Sequence, residues 1–336
     1  MAEKVTVLIC TYNYARFLGK CLETVCGQTR PPDEVIVVDD GSSDGTDEVV
    51  RRFPAVRYIR QNHEGKSAAF NRAIRESTGD IICHLDADDF WMPEKLELVC
   101  RELAQRPSIG GVIHETSHVG EDGEPIQLPY AVAPFPPSTI LTCDGVEEIG
   151  FLYPLPRARG VMAGNPNTVS ARRSALLDMF PLPPDMGLAV DAIFLAGAIR
   201  FGLLYLPKQL AAYRHHGQNA WLGNPRATQH IINFQQFLLA NKEYRRHISR
   251  RHVAMTRAKL YERKAFLASR TGDNAFEGFC ASLALPFLLL RHGLLCNWKH
   301  LLLPVLCALP IKRTERPAAA ASTAPTPVSR QQGLVQ

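Results

Sequence analysis

Short apolar runs and amphipathic stretches alternate along the first hundred residues. "VTVLIC" (5–10), "EVIVVD" (34–39), "VRYIR" (56–60) and "DIICHL" (80–85) are β-rich runs of strand length. Between them, "ARFLGKCLETVC" (15–26) spaces Phe17, Cys21 and Val25 four apart with Leu18 and Leu22 alongside, the stripe of a helix. "DGTDEVVRRF" (44–53) predicts a short helix that Asp44 could cap, and "KSAAFNRAIRES" (66–77) a longer one. "MPEKLELVCRELAQR" (92–106) predicts a further helix with Pro93 near its start. Strand and helix in this order form βαβ units, so a mostly parallel sheet covered by helices on both faces is expected.

Beyond residue 110 the pattern loosens. "GGVIHETSHVGEDGEPIQL" (110–128) reads as a strand, a turn at Asp122–Gly123 and a return strand. Seven prolines between Pro125 and Pro156 then imply a long irregular connection. "NTVSARRSALLDMF" (167–180) predicts a strand followed by a helix, "VDAIFLAGAIRFG" (190–202) a helix ended by Gly202, and "LLYLPKQLAAYRHHGQN" (203–219) extended structure. From Ala227 to Arg270 the chain reads as helical and basic, and from Pro317 it is rich in proline, alanine, serine and threonine, a composition that favours disorder.

Composition narrows the class. The 336 residues are 46% hydrophobic and 21% charged, ordinary for a folded protein, and the formal charge of +5 is too small to argue for nucleic acid. None of the nine cysteines forms a C-x-x-C pair, and most sit in apolar runs. That usage suits free thiols in a reducing compartment, so a cytoplasmic location is expected. "MAEKVTVLIC" has too few apolar positions for a secretory core.

Polar clusters punctuate the strands. "TYN" follows the first, "DDGSSDG" the second and "DADD" the fourth, all at carboxyl ends, where open α/β sheets bind their ligands. Surface loops collect such residues for reasons of turn geometry alone, but three clusters on one rim make a site. Asp86, Asp88 and Asp89 are the sharpest element. Carboxylates packed this closely repel by about 4 kcal/mol per pair at an effective dielectric near 20, so they face bulk water or hold a cation. Oxygen ligands without cysteine suit a hard divalent cation, magnesium or manganese (Mg2+ or Mn2+), and magnesium is usually shared with substrate phosphates. A nucleotide diphosphate is the implied partner.

The ordered set "VTVLICTYN", "EVIVVDDGSSDGT", "GKSAAFN", "GDIICHLDADD", "VDAIFLAGAIRFG" and "YRHHGQN" resembles the family 2 glycosyltransferases over residues 4 to 220. The resemblance implies the glycosyltransferase-A type α/β fold: a Rossmann-like, mostly parallel sheet flanked by helices, here with a C-terminal helical extension. It also implies inverting, metal-dependent sugar transfer from a nucleotide diphosphate sugar, most often a uridine one. Thr11 and Tyr12 then match contacts to the nucleoside, Asp40 the carboxylate that pairs with the base, Asp86 and Asp88 the DxD pair with Asp89 beside them, and Asp191 the catalytic base. Tyr12 could instead simply pack at the strand end, Asp39 could face the ligand in place of Asp40, and Asp191 could serve only as a helix-opening acid. Lys66 and Asn71 flank a helix start that could favour a phosphate, and His216 could reach the metal or diphosphate. Cys10, His63, Phe70 and Val190 depart from the commonest family residues. Val190, where glutamate often precedes the base, weakens the assignment of Asp191.

Rival readings are a sugar nucleotidyltransferase, an NAD-dependent oxidoreductase and a catalytically silent nucleotide-sugar-binding scaffold. The first two need a glycine-rich loop where this chain has "TYNYARFLGK". The expected division is a catalytic domain at 1–225, a helical, basic and apolar region at 226–315, and a tail at 316–336. "FCASLALPFLLL" and "LLLPVLCALPI" are each shorter than the roughly 20 residues of a spanning helix, and with the basic segment before them they leave peripheral attachment to the inner membrane face as an alternative to soluble packing. The acceptor is expected to be a saccharide or lipid-linked saccharide in surface glycan synthesis.

Overall fold

Near-continuous apolar strands bury both faces of a sheet, and the β-rich runs behave this way. The computed structural model describes residues 3–126, 139–142, 166–190, 192–217, 219 and 226–271. β1 (Val5–Thr11) lies between β2 (Glu34–Asp39) and β4 (Ile81–His84), with β3 (Arg57–Arg60) outside β2, and all of these pairings are parallel. The crossovers are α1 (Ala15–Cys26), α2 (Thr46–Val50) and α3 (Lys66–Glu76).

Side-chain alternation splits the core in two. Leu8, Ile36, Val38 and Ile82 point to one face and pack with Phe70, Ala73 and Ile74 of α3. Val5, Val7, Ile9, Val37 and Cys83 point to the other, against Leu18 and Leu22 of α1 and Leu96 and Val99 of α4 (Lys95–Gln105). The expected parallel sheet with helices on both faces is what forms.

The second half of the sheet is mixed. β8 (Val169–Arg172) runs antiparallel between β4 and β6 (Gly111–Val119), and β6 pairs in parallel with β9 (Leu203–Arg214). A two-residue strand, β5 (Phe90–Trp91), which the hydrophobic pattern does not announce, closes the edge against β9, and β7 (Ile140–Leu141) also pairs with β9. The β6–β9 register passes from His114↔Leu206 to Glu115↔Gln209, so β9 bulges where Pro207, with no N–H to give, interrupts the ladder. This bend carries the end of β9 past the acidic loop.

One expected helix is absent. "ARRSALLDMF" forms two short 3₁₀ turns, Arg173–Ala175 and Leu177–Met179, before Pro181 and Pro183 drive the chain out of helical geometry. The buried Arg200 guanidinium braces these turns by donating to both oxygens of Asp178 and to the carbonyl of Ala175. Arg200 follows α5 (Ala192–Ile199), which ends, as expected, before Gly202 at φ +90. Past β9 come α6 (Ala227–Ala240), α7 (Lys242–Arg246) and α8 (Arg250–Thr271), and α6 packs against residues 184–189. No helix among the described residues is long and apolar enough to cross a membrane, and both C-terminal apolar segments lie outside them.

Candidate active site

The carboxyl ends of β1, β2 and β4 deliver their polar residues to one rim. Asp39, the last residue of β2, is fully buried, and its oxygens accept from the Ser42 N–H and the Tyr58 hydroxyl, which fixes the turn. Asp40 is also buried. Its carboxylate accepts from the backbone N–H groups of Glu64 and Gly65 and from the Gln61 amide, and the His63 ring sits 2.9 Å away. Asp40 therefore pins the loop that leads into α3. Tyr12 lies 42% exposed at this rim, stacked on His63 with ring centroids 4.1 Å apart. Thr11 is buried just before it, and its hydroxyl has no hydrogen-bond partner among the described residues.

The same loop reaches the acidic cluster. Lys66 opens α3 and holds its ammonium 3.4 Å from Asp86 Oδ1. The clustered carboxylates of Asp86, Asp88 and Asp89 can each bring an oxygen within 4.8 Å of the others. His216, just past β9, places Nε2 3.0 Å from Asp88 Oδ2, with its ring packed on Phe17 and edge-on to Tyr14. Asp89 Oδ1 accepts from the N–H of Arg214, whose guanidinium donates to the carbonyl of Asp88. Tyr12, Asp40, Lys66, Asp86, Asp88, Asp89 and His216 thus share one rim.

Two expected residues stand elsewhere or unseen. Asn71 does not flank the helix start; it lies within α3, and its amide both donates to and accepts from the backbone of Leu182 at 2.9 and 2.7 Å. Its polar groups are taken up in holding that loop to the helix. Asp191 lies outside the described residues. Trp91 is buried, with the Lys95 ammonium 3.7 Å over its ring, and so packs inside the fold.

Electrostatics around the cluster follow from burial and charge. Burial pushes the Asp89 carboxyl well above its usual range, and Asp88 and Asp86 add to the effect. Burial acts upward on Asp86 too, but the charge and hydrogen bond of the Lys66 ammonium outweigh it and bring that carboxyl below its ordinary value. Burial, then the charges of Asp88 and Asp86, raise the Tyr14 hydroxyl to about 12. His84, clamped between Phe70 and Phe194, is fully buried and depressed to about 3, so it stays neutral. The donor set is oxygen-rich with one imidazole at its edge, a fit for magnesium or manganese.

Residues 6–153 match the family described as Glycosyl transferase family 2. Over that stretch, which holds the first four strands and the acidic loop, the chain is similar to glycosyl transferase family 2. Among similar proteins, an uncharacterized glycosyltransferase of Nostoc sp. is 29% identical over 236 residues, covering 67% of this chain and 69% of that one. Chondroitin synthase of Escherichia coli is 32% identical over 130 residues, which are 38% of this chain and 19% of that protein. The chain spans that small share of the synthase's length only. Among solved structures, S. aureus TarS 1–349 in complex with UDP-GlcNAc has a TM-score of 0.64 at 17% identity, covering 91% of this chain and 88% of that one. The TarS 1–349 complex with UDP has a TM-score of 0.61 at 18% identity, with 90% and 86% covered. At that identity the likeness is one of fold, the glycosyltransferase-A type expected from the motifs.

Four residues at this site escape sequence reasoning: Asn167, Lys95, Arg214 and His84. Arg214 stands inside "YRHHGQN" and could have been flagged with His216; the other three sit in stretches that read simply as strand or helix.

Proposed function

We propose that this rim binds a uridine diphosphate sugar and transfers the sugar, with inversion, to a saccharide or lipid-linked acceptor. The observation that carries the reading is the meeting of Tyr12, Lys66, the acidic loop and His216 at the carboxyl end of a parallel sheet. The UDP and UDP-GlcNAc named for the TarS structures of like fold support the choice of donor. Tyr12 offers a ring face for the base beside the Asp40-anchored loop. Lys66, at the first turn of α3, adds positive charge to the helix N-terminus, an arrangement that favours phosphate.

Asp86 and Asp88 would hold magnesium or manganese, with His216 at its edge and Asp89 behind. When bound, the cation neutralises charge that grows on the departing diphosphate. Asp191 takes the acceptor hydroxyl proton on the family motif, and Asp191→Asn should retain donor binding while transfer falls by about 10² to 10⁴. Residues 1–225 form the catalytic domain on this reading, followed by the helical region at 226–315 and the tail at 316–336. The enzyme works in the cytoplasm or at the inner membrane face.

A screen of nucleotide sugars for manganese-dependent thermal stabilisation tests the donor, because a ligand of the native state raises its stability. A rise in midpoint with UDP-sugars and manganese, accompanied by UDP release with acceptor, supports the reading. Equal stabilisation by all nucleotides in chelator, with no sugar released, would overturn it.

A further inference from the structure

The acidic loop must hold like charges close together, so something rigid has to fix its backbone. Residues 85–89 are tied at one end to β1, where the Leu85 N–H donates to Leu8 O, and close on themselves through Asp89 N–H to Asp86 O. A single side chain spans the turn between. Asn167, fully buried, accepts the Asp86 N–H through Oδ1 at 2.7 Å and donates through Nδ2 to Asp89 Oδ2. A carboxamide offers a donor and an acceptor side by side without charge at any ordinary pH. An aspartate there would set another carboxylate against Asp89, and a leucine would leave both groups of the loop unpaired.

Asn167 is itself held. Its backbone carbonyl accepts from Nζ of Lys95, a fully buried lysine whose ammonium also lies 3.7 Å over the Trp91 ring. No carboxylate pairs with Lys95 among the described residues. Burying an ammonium without an anion is unfavourable, and an apolar chain of the same length would fill the space at lower cost. Stability does not account for the lysine, whereas anchoring the residue that shapes the acidic loop does.

We propose that Lys95 and Asn167 are the positioning residues of the acidic loop: the lysine fixes the asparagine backbone, and the asparagine amide sets the separation of Asp86 and Asp89 for the cation. The proposal rests on the reading that this loop holds a divalent cation. Groups that orient metal ligands commonly change affinity by about 10- to 100-fold when removed.

The test is manganese binding to the full chain in the presence of UDP, followed by the electron paramagnetic resonance signal of free Mn2+, for wild type, Lys95→Met and Asn167→Leu. Thermal midpoints without metal are measured alongside. Lys95→Met should keep or raise the midpoint and yet weaken manganese binding about 10-fold. Asn167→Leu, which risks poor folding, should weaken it at least as much; the lysine variant carries the test on its own if the asparagine variant does not fold. Wild-type manganese affinity in a folded Lys95→Met protein would overturn the positioning role. Absence of manganese binding to wild type would remove the cation reading itself, a distinct failure.

Discussion

Replacing Lys95 by methionine should change how stability depends on pH, because burial lowers this ammonium to about 7 from 10.5. The folded state holds the proton less tightly than the unfolded chain. As pH falls from above 10.5 toward 7, the unfolded state gains a proton that the folded state refuses, so wild type loses stability through that window and levels off below it. With those two values the penalty is about 2 kcal/mol at pH 9 and about 4 kcal/mol at pH 7, at 1.36 kcal/mol per unit. Methionine has no such proton. The wild-type-minus-variant difference therefore isolates Lys95 from every other titrating group, while the lost contacts with Trp91 and Asn167 add a constant offset. Urea unfolding of both proteins at pH 7, 8 and 9 measures it through the midpoint and slope. Stability of the variant relative to wild type should rise by about 2 kcal/mol between pH 9 and pH 7. A difference that stays flat would mean the lysine remains charged in the folded protein, and the account of its burial would be wrong.

Asp88→Asn should lower transfer by two or more orders of magnitude, about 3 kcal/mol, and abolish manganese dependence; initial rates against manganese concentration read both. Tyr12→Ala should weaken UDP by about 10-fold, the scale of one base–aromatic stack, and calorimetry that finds unchanged affinity would assign Tyr12 to packing against His63 alone. Asn71→Ala removes both hydrogen bonds to Leu182 and should lower stability by about 2 kcal/mol while leaving UDP affinity intact, a pairing that separates bracing from ligand contact.

The parallel half of the sheet was legible because β1, β2 and β4 are buried on both faces and so carry unbroken apolar runs. The acidic rim was legible for a related reason: polar residues directly after such strands have only the sheet's carboxyl edge to occupy. The bracing of Leu182 by Asn71 was not legible because the two lie 111 residues apart, and nothing local distinguishes an amide that braces a loop from one that meets a ligand. Asn167 and Lys95 were invisible on similar grounds. A lysine at a helix start reads as solvent-facing, and its burial appears only when β8, the acidic loop and α4 come together across separations of 72 to 81 residues. The 3₁₀ turns after β8 hid behind apolar spacing that resembles a helix, which the later prolines and the Arg200 brace do not allow.

The central claim is that one metal-organising acidic rim anchors the diphosphate. Calorimetric titration of UDP into the wild-type protein, with manganese and then with chelator, tests it most directly. The account predicts binding that requires manganese and is lost in Asp88→Asn. UDP binding of equal strength in chelator, unaffected by that substitution, would contradict it.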